Sequence, residues 1–206
     1  MNPLALIAAT LLAYLIGSIP SGLWAGRLAR GVDVREVGSR RTGATNVQRS
    51  LGTPLAVAVL LADVLKGTLA VFLARALTGS DYAAVLAGVA AMAGHAWPLF
   101  AGFRGGRGVA TGAGALLVFS PPALLVSFLA MAVVTGLTRY VSLGSITAGL
   151  AAPVVATMLV DAGGATDAAI LMAFGAGILV LCRHADNLER LRQGRESKLG
   201  HRVAAH

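Results

Sequence analysis

The sequence has a single cysteine, Cys182, so it can form neither an internal disulfide nor a multi-cysteine metal site. Aromatic residues make up 5% of the chain, and no basic-aromatic surface pattern for stacking bases is present, so nucleic acid is not an expected partner. Charge is scarce too. Asp, Glu, Lys and Arg together are 13% of residues, against about 25% in an ordinary soluble domain. Internal repeats and a separate soluble domain are both missing.

What is present is apolar. Hydrophobic residues are 56% of 206, and a soluble protein of this size has too little interior to hide them. That excludes disorder, a coiled coil and most soluble enzymes, and puts the chain in a bilayer. The 17 basic residues exceed the 9 acidic ones, a formal charge of +8, which in so apolar a protein points to anionic lipid headgroups or a phosphorylated substrate.

A spanning helix needs about 20 apolar residues. Candidates are Pro3–Ala25, Pro54–Ala76, Tyr82–Phe100, Pro122–Leu137, Gly144–Val160 and Asp167–Leu181. Met1-Asn2-Pro3 supplies no positive n-region, so the first is not read as a cleavable signal. Val109–Phe119 is too short to cross a ~30 Å core as a straight helix. The distribution of Lys and Arg decides whether it counts. With seven crossings, Val109–Phe119 included and the N-terminus outside, 15 of the 17 basic residues lie inside. They are Arg27, Arg30, Arg35, Arg40, Arg41 and Arg49; Arg104 and Arg107; Arg139; and Arg183, Arg190, Arg192, Arg195, Lys198 and Arg202. With six crossings the asymmetry disappears. The expected fold is therefore an all-α integral membrane protein with seven transmembrane helices, one of them short, and a cytoplasmic C-terminus. Residues 1–206 form a single transmembrane domain.

The inside segments carry the polar chemistry. In the first, between about Leu28 and Thr53, Ser39, Thr42, Thr45 and Asn46 alternate with Gly38 and Gly43, a mix that favours turns presenting backbone N–H groups to an anion. Arg40, Arg41 and Arg49 add forked cationic donors. Arg40 and Arg41 are also what a solvated positive-inside loop contains. The second segment runs from His95 through Arg104-Gly-Gly-Arg-Gly108 into the short helix. Glycines allow close approach to a phosphate and a helix N-terminus points free N–H groups at it, although this is not a P-loop, whose Gly-Lys-Ser/Thr end is absent. His95 and Trp97 are expected to pack at the interface. Ser142 and Ser145 are ligand donors or helix caps. His184 stands at the end of the last span with Asn187 one turn away. Within the second span, Asp63 and Lys66 are spaced to pair, because an unpaired charge there costs about 2.5–3.5 kcal/mol. Gly22 and Gly26 make a small-xxx-small pattern for helix packing.

Taken in order, Gly17-Ser-Ile-Pro-Ser-Gly22, Val37-Gly-Ser39, Gly43-Ala-Thr-Asn-Val47 with Arg49, Asp63-Val-Leu-Lys-Gly67, Gly94-His95, Gly105-Gly-Arg-Gly-Val-Ala-Thr111, Arg139-Tyr-Val-Ser142 and Arg183-His184 with Asn187 resemble the bacterial acyl-phosphate:glycerol-3-phosphate acyltransferase family (PlsY). The resemblance covers nearly the whole chain. It implies a multi-pass enzyme of the bacterial inner membrane with its active site facing the cytoplasm. Such an enzyme moves an acyl group from acyl phosphate to the 1-hydroxyl of sn-glycerol 3-phosphate, the first acylation of phospholipid biosynthesis, and releases lysophosphatidic acid and phosphate. It implies catalytic roles for Ser39, Arg49, His184 and Asn187. Substrate binding falls to Thr45, Asn46, Arg104, Gly105, Gly106, Arg107, Gly108, Ser142 and Ser145. No metal or cofactor is expected. The bilayer and an upstream acyl-phosphate-forming enzyme are the expected partners. One departure stands out: the family usually has Lys-Gly-Gly-Lys-Gly, and both lysines are arginines here, so a planar fork replaces a point charge.

Two other readings share much of this inventory, namely a carrier for phosphorylated metabolites and a structural membrane subunit. The carrier fits less well because no repeated halves occur and the polar residues gather at one face. Acyltransferases with a histidine-x4-aspartate pair are excluded, since His95 and His184 are followed at that spacing by Phe100 and Glu189.

Overall fold

A computed structural model describes residues 2–200; Arg202, counted above with the tail, lies outside the described residues. The chain is helical: α1 (Pro3–Gly17), α2 (Ser21–Arg30), α3 (Ala44–Leu51), α4 (Thr53–Thr78), α5 (Asp81–Ala96), α6 (Val109–Phe119), α7 (Pro121–Thr138), α8 (Val141–Asp161), α9 (Asp167–Arg183) and α10 (Ala185–Arg192). Among the described residues, five segments are long and apolar enough to cross a bilayer: Pro3–Arg30, α4, Asp81–Ala101, α7 and α8. A sixth is α9 with α10, bent by 53° where they meet. The short helix α6 has the bounds expected from sequence.

The first expected span, Pro3–Ala25, is not continuous. Helix α1 stops at Gly17 and α2 starts at Ser21, because Pro20 has no N–H to donate and disfavours helical backbone at Ile19. The stretch from Leu28 to Thr53 is not all loop either, since it contains α3.

Small residues set the packing. Gly67 of α4 lies against the Thr111 carbonyl of α6, and Gly114 of α6 against the Val64 carbonyl of α4. Gly17 and Gly94 join α1 to α5 in the same way, against the carbonyls of Ala91 and Tyr14. In a bilayer, where no hydrophobic force draws helices together, such backbone contact substitutes for it. Gly22 and Gly26 pack differently from expectation. They lie against Thr42 and Val32 backbone oxygens, so they seat the first loop on α2 rather than helix on helix. Leu125, Phe128, Leu129 and Val133 of α7 remain exposed, as lipid-facing residues should.

Hydrogen bonds gather the polar segments at one end of the bundle. Arg35 Nη1 donates to Ala101 O at 2.8 Å, and Arg183 reaches Gly106 O at 3.3 Å. Arg49 donates to Ser197 O and Arg139 to Leu199 O, both at 3.0 Å. The tail thus lies across the first loop and the α7–α8 junction.

Candidate active site

Local folding of the first loop depends on Asn46, which is 2% exposed. Its Nδ2 is within bonding distance of Val34 O, Val37 O and Arg41 O (2.8, 3.1 and 2.9 Å), and its Oδ1 accepts from Ser39 N at 2.8 Å. Two amide hydrogens against three carbonyls leave no donor free for a ligand. Asn46 is thus the staple that holds Ser39 and Arg41 in place, and not a free donor to substrate. Thr45 makes no side-chain hydrogen bond among the described residues. At the loop's start, Asp33 accepts from Arg35 at 2.7 Å and Arg27 at 3.0 Å. The hydrogen bond from Arg35 holds the Asp33 carboxyl well below the usual carboxylate range. A depressed carboxylate contributes stability above its unfolded pKa and loses it only as pH falls through the folded value. The loop is therefore expected to keep its protease resistance at pH 4–5 in the wild type, whereas Asp33→Asn is cleaved several-fold faster at pH 4–5 and above in limited proteolysis.

Ser39, Arg40, Arg41, Trp97, Phe103, Arg104, Gly105, Arg183 and Asp186 line a cavity of about 370 Å³. Arg41 pairs with Asp186 across it. Arg41 is thus fixed to α10 rather than free in a solvated loop. Behind the cavity the Gly105–Gly108 turn leads into α6. Gly105 and Gly106 must be glycine, because a Cβ on either would collide with His95, its carbonyl in one case and its ring in the other. Gly108 takes φ +80°, left-handed backbone at the N-cap of α6. The N–H groups of Gly105, Arg107 and Gly108 donate to no protein acceptor among the described residues. With the free N–H groups of the first turn of α6 they form an anion-seeking surface.

The remaining site residues share one property. Among the described residues, seven buried side-chain polar atoms lack a hydrogen-bond partner, and four are Arg49 Nε, Arg107 Nε, Ser142 Oγ and Asn187 Oδ1. Leaving such a group unsatisfied costs about 1–3 kcal/mol, and the other three atoms belong to Ser18, Thr111 and Thr135. Burial pushes Arg107 down to about 10, with Arg41 and Arg190 nearby adding to it, and burial lowers Arg49 as well; both cations are held partly desolvated. Ser145 donates to Val141 O at 2.9 Å, leaving only its oxygen as an acceptor. His184, 2% exposed, has Nδ1 at 2.8 Å from Val180 O. A carbonyl only accepts, so Nδ1 carries the proton and Nε2 keeps a lone pair.

Three further residues were given no role in the site from the sequence. Glu196 accepts from Asn187 Nδ2 at 2.6 Å and from Arg190 Nε at 2.7 Å, and both Arg49 and Arg107 feel its charge. Burial would raise its pKa, but the hydrogen bonds from Arg190 and Asn187, with the Ser142 hydroxyl beside them, outweigh that and lower it. Arg183 stacks over Trp97 at 4.8 Å while holding Gly106 O. His95 is buried rather than interfacial, beside a 2.7 Å Lys66–Asp63 pair. Glu196 is one of three acids in a basic tail, with Asp186 and Glu189, and nothing set it apart; Arg183 was marked only as the neighbour of His184.

This geometry can be set beside proteins of known family. The family model described as "Glycerol-3-phosphate acyltransferase" matches residues 7–194. The chain belongs to the glycerol-3-phosphate acyltransferase family. The glycerol-3-phosphate acyltransferase of Parasynechococcus marenigrum (strain WH8102) is 45% identical over 203 residues, covering 98% of this chain and 94% of that protein. Glycerol-3-phosphate acyltransferase 1 of Deinococcus radiodurans is 44% identical over 201 residues, covering 98% and 99%. The crystal structure of PlsY (YgiH), an integral membrane glycerol 3-phosphate acyltransferase, in its glycerol 3-phosphate form superposes with a TM-score of 0.85 at 40% identity, covering 95% of this chain and 96% of that one. The lysophosphatidic acid form of the same protein gives 0.84 at 39%. The chain is accordingly an integral membrane acyltransferase of this family.

Proposed function

We propose that the polar end of the bundle transfers an acyl group from acyl phosphate to the 1-hydroxyl of sn-glycerol 3-phosphate. The hydroxyl oxygen attacks the acyl carbon, the bond from that carbon to the phosphate oxygen breaks, and lysophosphatidic acid and inorganic phosphate leave. The hydroxyl proton passes to His184 Nε2 or to an oxygen of the donor's phosphate. The observation that carries this reading is the set of unpartnered polar atoms on Arg49, Arg107 and Asn187, with the Ser142 hydroxyl beside Glu196. Cationic forks, a hydroxyl and an amide oxygen are what two phosphate-bearing substrates and a sugar-alcohol hydroxyl require. Acyl phosphate is a mixed anhydride with a good leaving group, so positioning and stabilisation of developing negative charge suffice, and no serine acyl-enzyme is needed.

In this proposal residues 1–206 are one transmembrane acyltransferase domain with seven crossings, the N-terminus outside, in the bacterial inner membrane. The concentration of arginines at the site's end supports placing that site in the cytoplasm, where an upstream enzyme supplies acyl phosphate. The reaction begins phospholipid biosynthesis. Purified protein in lipid, given acyl phosphate and glycerol 3-phosphate without soluble factors, should form lysophosphatidic acid. A radiolabelled acyl group found covalently on Ser39 or His184 after incubation with donor alone defeats direct attack. Uptake of a phosphate ester into sealed vesicles without acyl transfer overturns the enzymatic reading.

A further inference from the structure

Asp63, Lys66 and His95 lie buried between α4, α5 and the α1–α2 break, 2%, 6% and 6% exposed. Lys66 Nζ spends all three hydrogens: 2.7 Å to Asp63 Oδ1, 3.1 Å to Ile19 O and 2.9 Å to His95 Nδ1. Asp63 Oδ1 also accepts from Ser21 Oγ at 3.0 Å. An ammonium has no lone pair, so His95 Nδ1 must be the acceptor and the ring's proton sits on Nε2. Asp63 Oδ1 lies farther from Nδ1, at 3.5 Å, than Lys66 Nζ does at 2.9 Å. Nε2 in turn is the atom nearest the place where a side chain on Gly106 would begin. The backbone of the same residue is used as well: Gly106 N donates to His95 O at 3.0 Å. From the other side, Arg183 holds Gly106 O.

A buried ion pair is a weak source of stability, since apolar residues of similar shape often do as well, and in a bilayer it is costlier still. A role in local geometry accounts for it better. We propose that His95 is a positioning residue for the Gly105–Gly108 turn, its ring set by the Asp63–Lys66 pair so that it walls the Cα of Gly106. With the N–H, Cα and C=O of Gly106 all fixed, the next peptides turn so that Arg107 and Gly108 present free N–H groups at the start of α6. The inference rests on the reading of that turn as phosphate-binding.

Asparagine separates the two jobs of the ring. In His95→Asn, Oδ1 takes the place of Nδ1 as acceptor for Lys66, while nothing reaches Gly106. Full-length His95→Asn in lipid is expected to keep its thermal stability within a few degrees. Its KM for one of the two phosphate-bearing substrates rises about tenfold or more, with a smaller change in kcat, as misplacement of a binding element does. Gly106→Ala, which collides with the ring in the wild type, should raise the same KM. In the His95→Asn background the added methyl has room, so the double variant is expected to have a lower KM than the product of the single effects. A His95→Asn enzyme with both KM values unchanged, or one that loses stability alone, overturns the proposal. So does simple multiplication of the single effects in the double variant. If Gly106→Ala alone leaves both KM values unchanged, the turn does not bind phosphate, and it is that reading which fails. Should His95→Asn not fold, ¹⁵N NMR of wild-type His95 decides: Nε2–H supports the proposal, Nδ1–H ends it.

Discussion

Arg49→Ala is expected to lower kcat/KM by about 10²–10³-fold, the cost of removing one preorganised donor to developing negative charge, while the protein remains inserted in the membrane. Arg49 sits on α3 with its Nε buried and unpartnered, and burial depresses its pKa. A guanidinium held dry interacts with a phosphate far more strongly than one in water, which is why the loss should be large. The side chain also donates to Ser197 O, so alanine loosens the tail as well. The two effects separate by protease digestion of the tail and by Arg49→Lys. Lysine keeps the charge and can reach Ser197 O, but cannot present a two-pronged donor. If the fork matters, Arg49→Lys stays severely impaired with its tail docked. Wild-type activity in either variant removes Arg49 from the site.

How much of this was legible beforehand follows from the range of each interaction. Helix α6 was readable to the residue because its limits are local: Gly108 before it and Ser120-Pro121-Pro122 after it. The Asp63–Lys66 pair was readable because the i, i+3 spacing puts both on one face. The break at Ser18–Pro20 was written in Pro20, but a continuous apolar count passes over it. Asn46 shows the opposite limit. A short polar residue between glycines suggests ligand contact, and only the fold reveals that its donors are consumed by Val34, Val37 and Arg41. The contacts of Glu196 and Arg183 were beyond reach as well. Gly106 is 77 residues from Arg183, and Glu196 meets Asn187 and Arg190 only because the chain folds back after α10; no period in the sequence encodes contacts of either kind.

The sharpest separation of fold from chemistry is expected at Asn187, which is 2% exposed. Glu196 can only accept, so Nδ2 must face it, and Oδ1 is left buried without a partner. An amide oxygen fixed there is a candidate acceptor for the hydroxyl of glycerol 3-phosphate. Asn187→Ala should therefore reduce turnover at least about 100-fold, and unchanged activity takes Asn187 out of the site. Asn187→Asp is more informative. It keeps the oxygen but sets a second carboxylate beside Glu196, where the wild-type contact is 2.6 Å. Two carboxylates so close cannot both ionise without penalty, so the pair takes up a proton more readily than either alone. The pH dependence of tail docking should then reverse. In the wild type Glu196 has a depressed pKa, so its docking contribution is present above the unfolded value and lost as pH falls through the folded one. In Asn187→Asp the tail is repelled at neutral pH and docks better as pH falls and the pair shares a proton. Digestion of the tail at pH 7.5, at pH 5 and below pH 4 reads both slopes, because Asn187→Asp changes between the first two whereas the wild type changes only below the ordinary carboxylate range. Parallel slopes in the two proteins mean that Glu196 does not orient Asn187, and the amide's role must then be sought without the tail.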